Sequence, residues 1–314
     1  MKKMERLYDY LCKLNPYTPK EALLLASIVK IAQVGGINRV QVKSSMIDNP
    51  EGVTPANVYG ITFLDSGAGK DKPLRDIDKN IISNIRKDFY ERAEKYRDRQ
   101  RNYIENEANS KFGDKRTADK MKYIKDHSPR FLPFEISDAT LEGFIATREA
   151  YKDAGFGSTF IKISEFGDYI TSSNDHRIEF LSMVSEVFDY GDSNPKAIKG
   201  ERESEPVYDV PSSAIMHTSP SSLLEGKNRD KLFTFLNRGL ARRSFVCYPA
   251  KIQIQNINPE SIREENVKNK NDAKLILDEI KESFRQMYEC TKRPTDDELE
   301  NIASDIETTK NIFE

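Results

Sequence analysis

Apolar side chains recur at helical spacing over residues 4–14 and 18–34, which predicts two helices at the start of the chain. Thr18-Pro19-Lys20-Glu21 opens the second like an N-cap with proline at the first helical position, and Gly35-Gly36 is expected to end it. Asn49-Pro50-Glu51-Gly52 marks a turn, after which the pattern changes to a short apolar run over 58–64. Ile77, Ile81, Ile82, Ile85, Phe89, Ala93 and Tyr96 then return to three-and-four spacing, so a long helix with one buried face is expected. Beyond Arg97 that face turns polar; the segment is expected to project, with its charges on a solvated surface. Strands are predicted at Leu132–Ser137, Thr159–Ser164, Ala214–Thr218 and Ser244–Tyr248, alternating with helices over Thr140–Lys152, 175–190 and 228–238. Short apolar strands alternating with helices give an α/β fold with a mainly parallel sheet covered on both faces. Residues 252–270, rich in Asn, Lys and Glu, read as a linker, and helices near 271–290 and 295–310 close the chain. The expected organisation is a helical lead-in over 1–50, an α/β domain over 51–251, and a linker with terminal helices over 252–314.

Composition narrows the classes. With 314 residues the chain can bury a sizeable core, and it carries no apolar run of the ~20 residues a membrane span needs. Met1-Lys-Lys-Met-Glu-Arg-Leu lacks the apolar stretch and cleavage site of a signal peptide, so a cytoplasmic setting is expected. Cys12, Cys247 and Cys290 are isolated, as are His127, His176 and His217, which gives neither a disulfide framework nor a zinc site. A net charge of −2 argues against coating nucleic acid by bulk charge, while leaving room for a local basic groove or lumen.

Candidate chemistry centres on Ser66-Gly67-Ala68-Gly69-Lys70-Asp71, between the apolar run and the long helix. Strand, glycine turn and helix start gather backbone N–H groups and a helix dipole around one point, where a lysine reaches the phosphates of a nucleotide. The usual spacing has glycine where Leu64 stands and Ser or Thr where Asp71 stands, and an ordinary glycine turn is the competing reading. Asp71 is the candidate Mg²⁺ ligand in place of the missing hydroxyl, or else a charge that weakens nucleotide binding. Glu165, after the strand Phe160-Ile-Lys-Ile-Ser, is the candidate carboxylate for activating water. Arg238, Arg242 and Arg243 flank a helix end before the last strand, and one of them is a candidate arginine finger. Ala214-Ile-Met-His217-Thr218 ends a strand with polar groups suited to sensing a γ-phosphate; Thr218 is the candidate, and His217 reads as a satisfied strand-end histidine.

The order of these segments resembles a family of phage, prophage and plasmid replication proteins, helicase- or primase-like P-loop NTPases. The resemblance runs from about residue 55 to 250. It is carried by Ser-Gly-Ala-Gly-Lys at 66–70, Ile136-Ser-Asp-Ala-Thr-Leu-Glu-Gly143, Ile163-Ser-Glu-Phe166, Pro211–Leu223 and Asn237-Arg-Gly-Leu-Ala-Arg-Arg-Ser-Phe245, followed by Tyr248-Pro249. It implies a RecA-type core, ATP and Mg²⁺ as ligands, and a ring-forming motor, a hexamer, acting on single-stranded DNA with a primase or other replication proteins as partners. By position it makes Lys70 the phosphate ligand, Glu165 the catalytic carboxylate and Arg243 the arginine before the final core strand. The family reads Ser after the lysine and Asp before the glutamate, where this chain has Asp71 and Ser164. Asp138 in the Ser-Asp-Ala-Thr segment reads first as a helix N-cap. The rival class is a P-loop module that binds nucleotide and DNA or a replication partner without efficient turnover. A third is an NTPase with a task such as packaging or defence.

Overall fold

The computed structural model describes residues 2–43, 53–65, 67–113, 117–137, 139–171, 175–189, 191–192, 207–224, 226–237, 239–248 and 259–291. Its centre is a four-stranded, all-parallel sheet of β3 (Tyr59–Phe63), β4 (Thr159–Ile163), β5 (Ser212–Thr218) and β6 (Ser244–Cys247) in the order β4-β5-β3-β6. All five residues of β3 and all seven of β5 are buried, as expected for inner strands covered on both faces. The strand predicted at 132–137 contributes a single parallel bridge, Ile136 to Ile161, outside β4. A separate antiparallel pair, β1 (Gln41–Lys43) with β2 (Val53–Pro55), was not legible in the sequence.

One face of the sheet packs against α6 (Leu141–Asp153), α7 (Phe166–Thr171), α8 (Asp175–Glu186), α10 (Gly226–Leu236) and α11 (Gly239–Arg242) through a large cluster that includes Ile61, Phe144, Phe166, Met216 and Phe235. A short α9 (Pro220–Leu223) follows β5. The other face is covered by α2 (Lys20–Ile37), with Leu25, Ala26 and Val29 against Phe160, Ile215 and Cys247, and by Leu74 of α3 (Lys72–Asn80). The segment expected as a lead-in therefore forms one of the layers. α2 is apolar around most of its circumference because its outer side is covered as well: Leu23 and Val34 join Leu7 and Leu11 of α1 (Lys2–Leu14) in a second cluster. That cluster also takes Ala273, Ile280, Phe284 and Tyr288 of α12 (Pro259–Thr291).

Several local expectations are corrected. Gly35-Gly36 does not end α2, which runs to Ile37; a Cβ at Gly36 would lie 2.2 Å from Ser158 Oγ, so this glycine permits close packing rather than termination. The long helix after the loop is two, α3 and α4 (Ser83–Phe112), broken at Ile81-Ile82, both of which are buried. The segment beyond Arg97 is not corrected: α4 continues through it with most of its charged residues exposed, and packs there with α5 (Thr117–His127), which buries none of its residues, Phe112 and Tyr123 being in ring contact. The linker expected over 252–270 is partly helix, since α12 already begins at Pro259; the helix expected at 295–310 lies outside the described residues. Thr140, not Asp138, caps α6, accepting a hydrogen bond from the Gly143 N–H at 3.1 Å; Asp138 lies outside the described residues.

Candidate functional site

The loop between β3 and α3 leaves the carboxyl end of an inner strand, the edge of an open α/β sheet where ligand crevices form. Gly67 and Gly69 both have positive φ, +88° and +77°, a conformation only glycine adopts without strain. Left-handed residues in such a loop can turn backbone N–H groups towards one concavity, the geometry that holds anions; here the Ala68 N–H is already taken by the Asp65 carbonyl at 3.1 Å. Thr18, expected as a helix cap, makes no capping bond to α2. It lies beneath the loop instead, its Oγ1 2.7 Å from where a Cβ on Gly69 would stand. Ala68 packs at the margin of the α2 cluster, and Ser66 lies outside the described residues.

Lys70 and Glu165, far apart in sequence, are brought together: Lys70 Nζ lies 3.3 Å from Glu165 Oε1 and 3.5 Å from the Ser164 carbonyl oxygen. The lysine side chain is only 10% exposed and the glutamate 61%, so the lysine is held in the crevice while the carboxylate stands at its mouth. β4, which ends just before Glu165, and β3, which ends before the loop, are separated by β5. The end of β5 therefore lies between the two groups.

Period-two alternation decides which polar group of β5 faces the loop side. His217 is in register with Thr62, and Ile215, two residues earlier, with Lys162, so these side chains share the α2–α3 face. Thr218 points to the opposite face, its hydroxyl against Gly167, and its carbonyl accepts from the Leu64 N–H. Of the pair it is therefore His217, and not Thr218, that faces the loop side of the sheet. His217 is 2% exposed and neither ring nitrogen has a hydrogen-bond partner. Burial pushes its pKa down to about 4; Asp71 opposes that shift, and Lys162 and Lys70 add to it. The imidazole is neutral at pH 7. A buried, unpartnered polar ring is costly unless something else fills its valence.

Asp71 stands at the start of α3 without capping it. Its Oδ1 is buried with no hydrogen bond; the nearest cation is Lys162 Nζ at 3.3 Å, close enough for an ion pair but outside hydrogen-bond geometry. Deeper in, Lys30 of α2 is fully buried and bonds Asp78 Oδ1 at 2.6 Å, Glu135 Oε1 at 2.5 Å and Gln33 Oε1 at 2.9 Å. Burial raises the Asp78 pKa against the pull of Lys30; at Glu135 burial acts the same way, but Lys30 and Lys162 outweigh it and hold the carboxyl low. Among the described residues no three or more His, Cys, Asp or Glu side chains form a group able to hold a metal ion.

The arginines are elsewhere. Arg243 directly precedes β6, whose first residue pairs with Tyr59 at the start of β3, so it lies at the opposite edge of the sheet from the loop, roughly 13 Å of strand away. There its Nη2 pairs with Asp189 Oδ2 at 3.2 Å. Arg242 is exposed at the end of α11, and Arg238 lies outside the described residues. Neither described arginine is brought to Lys70 of its own chain.

Compared with protein-family models, with curated proteins and with solved structures, the chain matches none. Its function therefore has to be argued from the site. One group there escaped the sequence reading, Lys162, whose one signal was a lone cation in an otherwise apolar strand; His217 was singled out in the sequence but read as a satisfied strand-end histidine, whereas neither of its ring nitrogens has a partner. No helix among the described residues is long and apolar enough to cross a membrane.

Proposed function

We propose that the chain is a P-loop nucleoside triphosphatase of RecA type that hydrolyses ATP, serving as the motor of a phage or mobile-element replication machine. The observation that carries this reading is the meeting of Lys70 with Glu165 across the end of β5, at the carboxyl edge of a parallel sheet. The order β4-β5-β3 places both groups at the carboxyl edge of the sheet, where open α/β sheets form their ligand crevices. ATP phosphates entering the glycine loop meet the Gly69 and Lys70 N–H groups and draw the Lys70 ammonium away from Glu165. The freed carboxylate then accepts a proton from, or orients, the attacking water. His217, neutral and unpartnered, offers one donor and one acceptor to the γ-phosphate side of the crevice.

Mg²⁺ accompanies ATP in such sites, taking phosphate oxygens, waters and one or two carboxylates, and supplies charge neutralisation at the phosphates. Asp65, an exposed carboxylate at the start of the loop, would be the protein oxygen ligand beside waters and phosphate oxygens, leaving Glu165 to the water; Asp71, the ligand expected from sequence, is turned to Lys162. Arg243 at the far edge of the sheet suits action on a neighbouring subunit's nucleotide, so the working unit in this reading is a ring, a hexamer, closing on single-stranded DNA. The second reading, a P-loop module that binds nucleotide without efficient turnover, is favoured by the same Asp71 and by Ser164.

Phosphate release, with ATP affinity measured in parallel, separates them. Glu165→Gln should abolish turnover at near wild-type affinity, and Lys70→Ala should weaken ATP binding ten- to a hundredfold, ~1.5–3 kcal/mol. Turnover stimulated by single-stranded DNA supports the motor; binding without turnover in the wild type supports the module. Unchanged ATP affinity in Lys70→Ala refutes both.

A further inference from the structure

We infer that Lys162 is a positioning residue of the nucleotide site, the built-in counter-charge that lets a carboxylate stand at position 71, directly after the phosphate-binding lysine. This rests on reading the Gly67–Asp71 loop as that site. A bare carboxylate beside Lys70 would repel the phosphates Lys70 is there to attract, and the loop's architecture otherwise calls for a neutral hydroxyl at this position. Lys162 Nζ lies 3.3 Å from Asp71 Oδ1, an atom buried without any hydrogen bond. β4 delivers the ammonium from below because Lys162 shares the α2–α3 face of the sheet with His217, and its side chain is 23% exposed.

The wider cluster explains why Lys162 is available for this. Lys30 already serves Asp78 and Glu135 through direct bonds, so Lys162 acts on those two carboxylates only through space while sitting against Asp71. The cluster Lys30, Lys162, Asp71, Asp78 and Glu135 thus reads as two cations serving three carboxylates, with the one nearest the loop assigned to Lys162. In this arrangement Asp71 is half of an ion pair and not a metal ligand. Lys70 is then free to exchange Glu165 for phosphate without a second carboxylate competing for it.

The test is a double-mutant cycle read by ATP affinity in calorimetry, without Mg²⁺, with each variant's thermal midpoint recorded to show that it is folded. Lys162→Met should weaken ATP binding about tenfold when Asp71 is present and less than about threefold in an Asp71→Ser background. Lys162→Arg should stay within about threefold of wild type. Equal weakening in both backgrounds, or in neither, overturns the inference. Should Lys162→Met fail to fold, Asp71→Asn decides alone: because Lys162 already keeps the carboxylate from competing for Lys70, it must leave ATP binding within about threefold of wild type, and a larger change in either direction overturns the assignment. Lys70→Ala touches neither partner of the pair. If it leaves ATP affinity unchanged, the phosphate-loop reading has failed, whatever the cycle returns.

Discussion

The two ends of the parallel sheet both bury basic side chains, and they treat them in opposite ways. At the amino end Arg148 is fully buried, yet its guanidinium donates to the carbonyls of Val210 and Gly191, one of the Val210 bonds measuring 3.1 Å. Burial lowers its pKa to about 10, which still leaves it charged at pH 7, and Tyr59, beside it, donates its hydroxyl to the Val184 carbonyl. At the carboxyl end His217 is as deeply buried with both nitrogens unfilled, Asp71 Oδ1 has no hydrogen bond, and Lys70 is held by an exposed glutamate. A satisfied network holds backbone segments in place. An unsatisfied one has valence left for a ligand. Chemical similarity of the residues would not have separated the two ends; the count of hydrogen bonds does.

Substitution can break this comparison, most forcefully at Arg148. Arg148→Met should cost ~3–5 kcal/mol in denaturant unfolding, because it strands the Val210 and Gly191 carbonyls in the interior. It should leave the ATP affinity of the folded fraction unchanged. His217→Leu should do the reverse, slowing turnover at little cost, or a gain of ~1–2 kcal/mol, in stability at pH 7, since no partner is lost. A stability loss there as large as at Arg148 would make the two ends alike and remove the argument for a ligand at the loop.

The next effect is on pH. With His217 at about 4 in the fold and 6.5 when unfolded, the unfolded chain binds more protons between those values. Its contribution is therefore fully present above pH 6.5 and is lost as pH falls towards 4, ~3 kcal/mol over the window. Unfolding of His217→Leu should lose this part of the acid sensitivity, and superimposable pH profiles for the two proteins would contradict it. The smallest expected change in stability is at Arg243, whose partly exposed pair with Asp189 contributes less than ~1 kcal/mol. If Arg243→Ala is nevertheless nearly inactive while binding ATP, the residue acts on a neighbouring subunit. Mixing it with Lys70→Ala should then restore part of the turnover, because an intact loop can meet an intact arginine.

Much of this was legible in the sequence where one physical requirement dominates. Apolar runs were enough to locate the four strands of the sheet, most securely β3 and β5, because inner parallel strands bury both faces, and Gly67-Ala68-Gly69-Lys70 stood out because few other contexts need two left-handed residues before a lysine. The helix break at Ile81-Ile82 was invisible, since two adjacent isoleucines satisfy a buried stripe as well in one helix as in two. So was the start of α12 at Pro259, where polar composition imitates a linker while Ala273 and Tyr288, farther along, fit the groove left by α1 and α4.

By itself the sequence determined the class of fold, the loop and the candidates around it, for these follow from short-range periodicity and backbone chemistry. The tertiary structure alone decided which candidates meet. Strand order brings Glu165 to Lys70 and leaves Arg243 at the other edge. The strand pleat turns His217 towards the loop and Thr218 away from it, and helix packing carries Thr18 under Gly69. Register turns Lys162 to the α2–α3 face, and the packing of α3 there sets Asp71 against it. The reason is physical: proximity between residues far apart in the chain is set by pairing and packing, which no local pattern encodes.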